Sequence, residues 1–140
     1  MAVLIDSNVF IALERRGSGP DEVLALIPDE PVALASVSAS ELLFGVERAN
    51  TPERRARREH FVEALLALLP VLTFGTAEAR VHARVWAGLA ASGQLIGGHD
   101  LLIAATALAH GYDILTDNVR EFRRVPGLTV RQPLWPDDKG

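Results

Sequence analysis

A chain of 140 residues, 49% of them hydrophobic, carries enough apolar material for one buried core but too little for two, and its 23% charged fraction excludes a chain disordered by composition. The absence of cysteine excludes disulfides and thiolate-bound zinc. A formal net charge of -4 argues against a DNA-reading protein with a broad basic face, unless divalent cations held by clustered acids offset the local field.

Val3 to Ile5 reads as a first strand, and Asp6 follows it directly, at the carboxyl end where open parallel sheets place ligands. The first helix ends at Arg15 and Arg16, whose charge suits its dipole. Past the Gly17-Ser18-Gly19-Pro20 loop, a helix over Pro20 to Ile27 leads to a second strand, Val32 to Ala35. An amphipathic helix over Ala39 to Ala49 carries Glu41 in its first turn. A second, over Pro52 to Leu69, starts with the basic run Arg54 to Arg58, which is either a solvated face or a hold on nucleic acid. A third strand, Val71 to Phe74, and a helix over Thr76 to Ser92 follow. The Ile96-Gly97-Gly98-His99 segment leads into Asp100, which opens a helix apolar nearly all round, ending at His110. Ile114 to Thr116 forms a strand with Asp117 at its end, and Leu128 to Val130 forms the last one.

Strands alternating with helix-length segments predict an α/β fold: a three-layer α/β/α domain over residues 1–132 with a mostly parallel central sheet. Residues 133–140 form a tail that leaves the fold, with Trp135 able to anchor it. No basic and apolar leader opens the chain, and no apolar run approaches ~20 residues, so a cytoplasmic protein without a membrane span is expected.

Each acid has a plain local explanation. Asp6, Asp100 and Asp117 suit turns or N-caps, and Ser38-Ala39-Ser40-Glu41 matches a capping box. Their conjunction carries more, because four elements far apart in sequence bring carboxylates to one sheet edge. Such a cluster repels itself when empty, and hard divalent cations with oxygen ligands relieve the repulsion.

Asp6-Ser7-Asn8-Val9-Phe10, Ser40-Glu41-Leu42-Leu43-Phe44-Gly45-Val46, Gly97-Gly98-His99-Asp100 with the helix after it, and Leu115-Thr116-Asp117-Asn118 with Phe122 resemble the ordered motifs of PIN-domain nucleases. The similarity spans nearly the whole chain and extends to the Val125-Pro126-Gly127-Leu128 ending of VapC-type toxins. That resemblance implies an Mg²⁺- or Mn²⁺-dependent endoribonuclease, the toxin of a toxin–antitoxin pair. It makes Asp6, Glu41 and Asp100 metal ligands and catalytic residues. The fourth position falls on Asp117 or Asn118, with Asp117 preferred as ligand or water-orienting group. Thr116 and Asn118 become polar neighbours of the phosphate, with Arg120 close by for the RNA. A cognate antitoxin that inserts a segment near the acids, and a homodimer, are implied in the same way.

Hydrolysis by metal-activated water leaves a 5′ phosphate and a 3′ hydroxyl. No histidine pair stands at the spacing a cyclic-phosphate mechanism needs. His99 beside Asp100 is a loop residue or a substrate contact. Three other readings compete: a PIN nuclease of RNA maturation, a silent PIN scaffold, and an aspartyl-phosphate domain. The last is disfavoured because Asp6-Ser7-Asn8 lacks a second acid two residues on.

Overall fold

The computed structural model describes residues 1–135. Its elements run β1 (Val3–Ile5), α1 (Ser7–Arg15), a 3₁₀ turn (Pro20–Glu22), α2 (Val23–Leu26), β2 (Val32–Ala35), α3 (Ser36–Glu47), α4 (Pro52–Leu68), β3 (Val71–Leu72), α5 (Thr76–Ala91), α6 (Gly98–His110), β4 (Asp113–Leu115), α7 (Val119–Phe122) and β5 (Val130–Arg131). The five strands pair in the order β3-β2-β1-β4-β5, and every pairing is parallel.

Because side chains alternate across a strand, each short apolar run feeds two cores. Val3 and Ile5 of β1, Val32 and Leu34 of β2 and Leu115 of β4 pack with Phe10, Leu42, Phe61 and Leu65 from α1, α3 and α4. Leu4, Ala33, Ala35 and Ile114 face the other way, onto Leu89 of α5, Ile103 and Ala104 of α6 and Phe122 of α7. The result is the expected three-layer α/β/α architecture. The small side chains Ala33 and Ala35 let the apolar α6 lie close to the sheet. Trp135 packs against the first core, with the Arg16 guanidinium 4.6 Å from its ring centroid, so the anchoring of the tail reaches that far. The remainder of the tail lies outside the described residues.

Local signals explain most boundaries. The Thr51 hydroxyl accepts from the Arg54 N–H at 3.1 Å and Pro52 fills the first helical position, which starts α4. Gly111, at φ 70, ends α6 in the left-handed conformation that glycine adopts without strain. Several boundaries differ from the sequence reading. β3 is shorter, β5 lies further along the chain, and α3 begins at Ser36, directly on the end of β2. Ser38 is therefore inside the helix, its hydroxyl buried with no hydrogen-bond partner among the described residues, and the capping box does not form.

Candidate active site

In the strand order, the chain builds one half of the sheet outward from β1 through β2 to β3, then returns to the other side of β1 with β4. The crevice between the carboxyl ends of β1 and β4 is thus the switch point where this class of sheet binds ligands. Asp6 and Thr116 flank it: the Asp6 N–H donates to the Leu115 carbonyl at 2.9 Å, and the Thr116 hydroxyl donates to Asp6 Oδ2 at 2.8 Å.

The Asp6-Ser7-Asn8 triplet fastens three elements together. Asp6 takes the Thr116 hydroxyl, the Ser7 hydroxyl donates to Glu41 Oε1 at 3.1 Å, and Asn8 Nδ2 donates to Thr116 Oγ1 at 3.3 Å. Asn8 Oδ1 accepts the Asp117 backbone N–H at 3.3 Å. The Thr116 oxygen also accepts the Asn118 N–H at 2.9 Å, so its donor and both acceptor sites are in use. Thr116 is 0% exposed. The sequence reading put it beside the phosphate; in the structure it is buried and its hydroxyl is spent on Asp6.

Glu41 lies in the second turn of α3 rather than the first, because the helix starts earlier than expected. Its second oxygen faces His99 Nδ1 at 3.3 Å, which ties α3 to the first turn of α6. Asp100, in that same turn, accepts from Asn118 Nδ2 at 3.1 Å. Asn118 Nδ2 also reaches Glu121 Oε2 at 3.4 Å, and Glu121 hydrogen-bonds the Asp100 carboxyl and takes the Gly97 N–H.

The electrostatics show which acids share one environment. Burial raises Asp6 above its ordinary value, against the lowering influence of the Thr116 hydroxyl, and the Glu41 charge raises it further. Asp100 is pushed up to about 7, first by burial, then by its hydrogen bond to Glu121 and the charges of Asp6, Glu121 and Glu41. Glu121 is held low by the same hydrogen bond, so within the pair Asp100 has the greater proton affinity. Asp6, Glu41 and Asp100 therefore lie within reach of one another's charge, and Glu121 adjoins Asp100.

Asp117 does not make these contacts. It is exposed, and its backbone N–H is what engages the site, through Asn8. Arg120 is exposed on α7, immediately before Glu121. Glu121 escaped the sequence reading because α7 is only four residues long. A signal was present: Asn118, the N-cap of that helix, precedes Glu121 by three residues, the spacing of a capping pair. Among the described residues no three Asp, Glu or His side chains stand close enough around one point to ligate a single ion.

Comparison with known proteins follows the same outline. The PIN domain family model matches residues 3–128. Ribonuclease VapC1 of Rickettsia felis is 38% identical over 93% of this chain and 95% of its own. Among solved structures, DNA-bound VapBC from Salmonella typhimurium superposes with a TM-score of 0.82 at 28% identity, covering 94% of this chain and 98% of that one. VapBC-5 from Mycobacterium tuberculosis, a member of the VapBC family of toxin–antitoxin systems, does so with a TM-score of 0.74 at 32% identity, covering 96% and 98%.

Proposed function

The chain belongs to the PIN-domain family, among relatives of the VapC ribonucleases, and from that membership we propose that it is a divalent-metal-dependent endoribonuclease, the toxin of a toxin–antitoxin pair. The observation that carries the proposal is the placing of Asp6, Glu41 and Asp100, from three separate elements, at the crevice between β1 and β4, where burial and neighbouring acid charges raise the proton affinity of Asp6 and Asp100. Acids so arranged are destabilising for an empty protein and suit a site that takes a cation.

The donor set fits Mg²⁺ or Mn²⁺, since every candidate ligand is a carboxylate oxygen and neither thiolate nor paired imidazole is present. Such an ion, when bound, supplies the Lewis acidity that activates water and offsets charge on the phosphodiester. This chain's own residues do the positioning. Thr116 fixes the orientation of Asp6, Ser7 and His99 hold Glu41 from two sides, and Asn118 steers Asp100. We assign the fourth position to Glu121 with Asn118, and place the exposed Asp117 and Arg120 at the mouth of the crevice, where RNA enters.

Its partner, by similarity to members of the VapBC family, is a small antitoxin that covers the site. We also propose a cytoplasmic homodimer. Among the described residues no helix is long and apolar enough to cross a membrane. On α5, Trp86 is 53% exposed and belongs to a ring series with His82 and Phe74, an apolar face that a second copy would cover. Expression of the wild type without an antitoxin should arrest bacterial growth, and Asp6→Asn should relieve the arrest. Arrest by the substituted protein at equal abundance would refute the toxin reading.

A further inference from the structure

We infer that the RNA strand flanking the cut follows a basic groove that opens beside Glu41 and runs between α1, α3 and α4; the inference rests on the ribonuclease reading above. A cavity of about 330 Å³ has Glu41 in its wall, together with Phe44, Arg48 and Arg58. A second, of about 590 Å³, shares Arg15 and Arg58 with the first and continues past Arg54 and Arg57. The two form one path leading away from the acids.

The charge along this path is the reverse of the chain's as a whole. Arg15, Arg48, Arg54, Arg57 and Arg58 line it, five of the 14 basic residues in a chain of net charge -4. The acids on the same path are Glu14 and Glu41. Some of these arginines are structural: Arg58 Nη1 donates to the Gly45 carbonyl at 2.9 Å with its Nε 3.6 Å from Glu14, and Arg54 holds Asn50 at 2.9 Å. Arg15 and Arg57 make no hydrogen bond or ion pair among the described residues, leaving both guanidiniums to an incoming ligand. Phe44, 62% exposed, carries the Arg48 guanidinium 5.8 Å from its ring centroid. An exposed aromatic ring beside a guanidinium is a surface on which an unstacked base rests while its phosphate is neutralised.

The physical reason for such a groove lies in the site itself. A phosphodiester that reaches Asp6 must bring a polyanion up against Asp6, Glu41, Asp100 and Glu121, and the repulsion grows with each flanking phosphate. Cations beside Glu41 offset that repulsion where the strand leaves the crevice.

The test is binding of a single-stranded RNA of roughly 16 nucleotides in EDTA, measured by fluorescence anisotropy across salt concentrations. Each lost phosphate contact on a single strand lowers the slope of log affinity against log salt by about 0.7. The Arg15→Gln, Arg57→Gln double variant should therefore lose about 1.4 from the slope and bind about tenfold more weakly at low salt. Its Lys counterpart should restore most of the slope. Arg80→Gln with Arg84→Gln, on α5 across the sheet, changes the net charge equally and should leave the slope alone. Wild type that binds RNA with a slope the groove variant leaves unchanged would overturn this inference and not the ribonuclease reading. An unchanged slope with an altered oligomeric state would overturn it too, assigning the groove to a second copy. Wild type that binds no RNA would overturn both.

Discussion

The two ends of the sheet treat carboxylates in opposite ways. At the amino end, Asp113 and Glu30 converge on one guanidinium: Arg131 Nη2 lies 2.8 Å from Asp113 Oδ2, Nη1 lies 2.8 Å from Glu30 Oε2, and the Met1 amino group stands 3.5 Å from Glu30. The Arg131 hydrogen bonds hold Glu30 down at about 2, and the carboxylates in turn raise Arg131. At the carboxyl end, Asp6, Glu41, Asp100 and Glu121 lie near one another with no arginine hydrogen-bonded to them among the described residues, and Asp6 and Asp100 are pushed up. Acids matched by cations are ordinary structural chemistry. Acids gathered with so few cations among them cost the fold stability, a pattern common at functional sites.

Substitution should separate the two ends most sharply in activity. Asp6→Asn or Asp100→Asn should reduce RNA cleavage below detection while leaving the circular dichroism spectrum unchanged. Thr116→Val, which strips Asp6 of its positioning hydroxyl, should cost about 10- to 100-fold in kcat/KM; Thr116→Ser, retaining the donor, should recover most of it. An undiminished Thr116→Val enzyme would show that Asp6 needs no such support.

The fourth position gives a smaller but more discriminating contrast. Glu121→Gln should lower kcat/KM by about tenfold, in the range of groups that orient a ligand, whereas Asp117→Asn should change it by less than about twofold because its side chain is exposed. The reverse ranking in a steady-state assay would restore Asp117 to the site.

Stability against pH should show the same opposition without any catalysis. Asp100 has a folded value of about 7 against an ordinary 3.8, so the native state binds the extra proton. Its contribution to stability is present below 3.8 and is lost as pH rises through about 7. Glu30 runs the other way, its contribution present above 4.5 and lost as pH falls through about 2. Thermal melts in EDTA should thus weaken on both sides of a mid-acid optimum. Asp100→Asn should flatten the neutral limb alone. Arg131→Met should flatten the acid limb and lower stability at neutral pH by about 1–3 kcal/mol, through the buried Asp113 left without its partner. Cleavage per folded molecule should survive Arg131→Met. A melting curve whose neutral limb ignores Asp100→Asn would remove the electrostatic case for the cluster.

How much of this was legible in the sequence depended on whether a local signal existed. β1 and β2 could be bounded to the residue because each is a short apolar run ended by a polar residue, as in Ile5-Asp6 and Ala35-Ser36. The meeting of Asp6, Glu41 and Asp100 was legible because each follows or faces a strand end in an alternating pattern. The start of α3 was not, since Ser36-Val37-Ser38 reads as a loop with a cap, while packing against the sheet continues the helix back to the strand. Asp117 stands out because adjacency to a strand end is visible in sequence, whereas the single turn that brings Glu121 to Asp100 is set by tertiary contacts. The Arg131 network was missed for the same reason: Glu30 and Arg131 are far apart in sequence, and only strand order brings them together.

The central claim, that the acid cluster hydrolyses RNA with a divalent cation, is tested most directly by incubating purified protein and single-stranded RNA with Mn²⁺ or with EDTA and identifying the new ends. Endonucleolytic cuts that require the metal, disappear in Asp6→Asn, and leave a 5′ phosphate and a 3′ hydroxyl are the expected result. Cleavage that persists in EDTA, or products ending in a 2′,3′ cyclic phosphate, would contradict it.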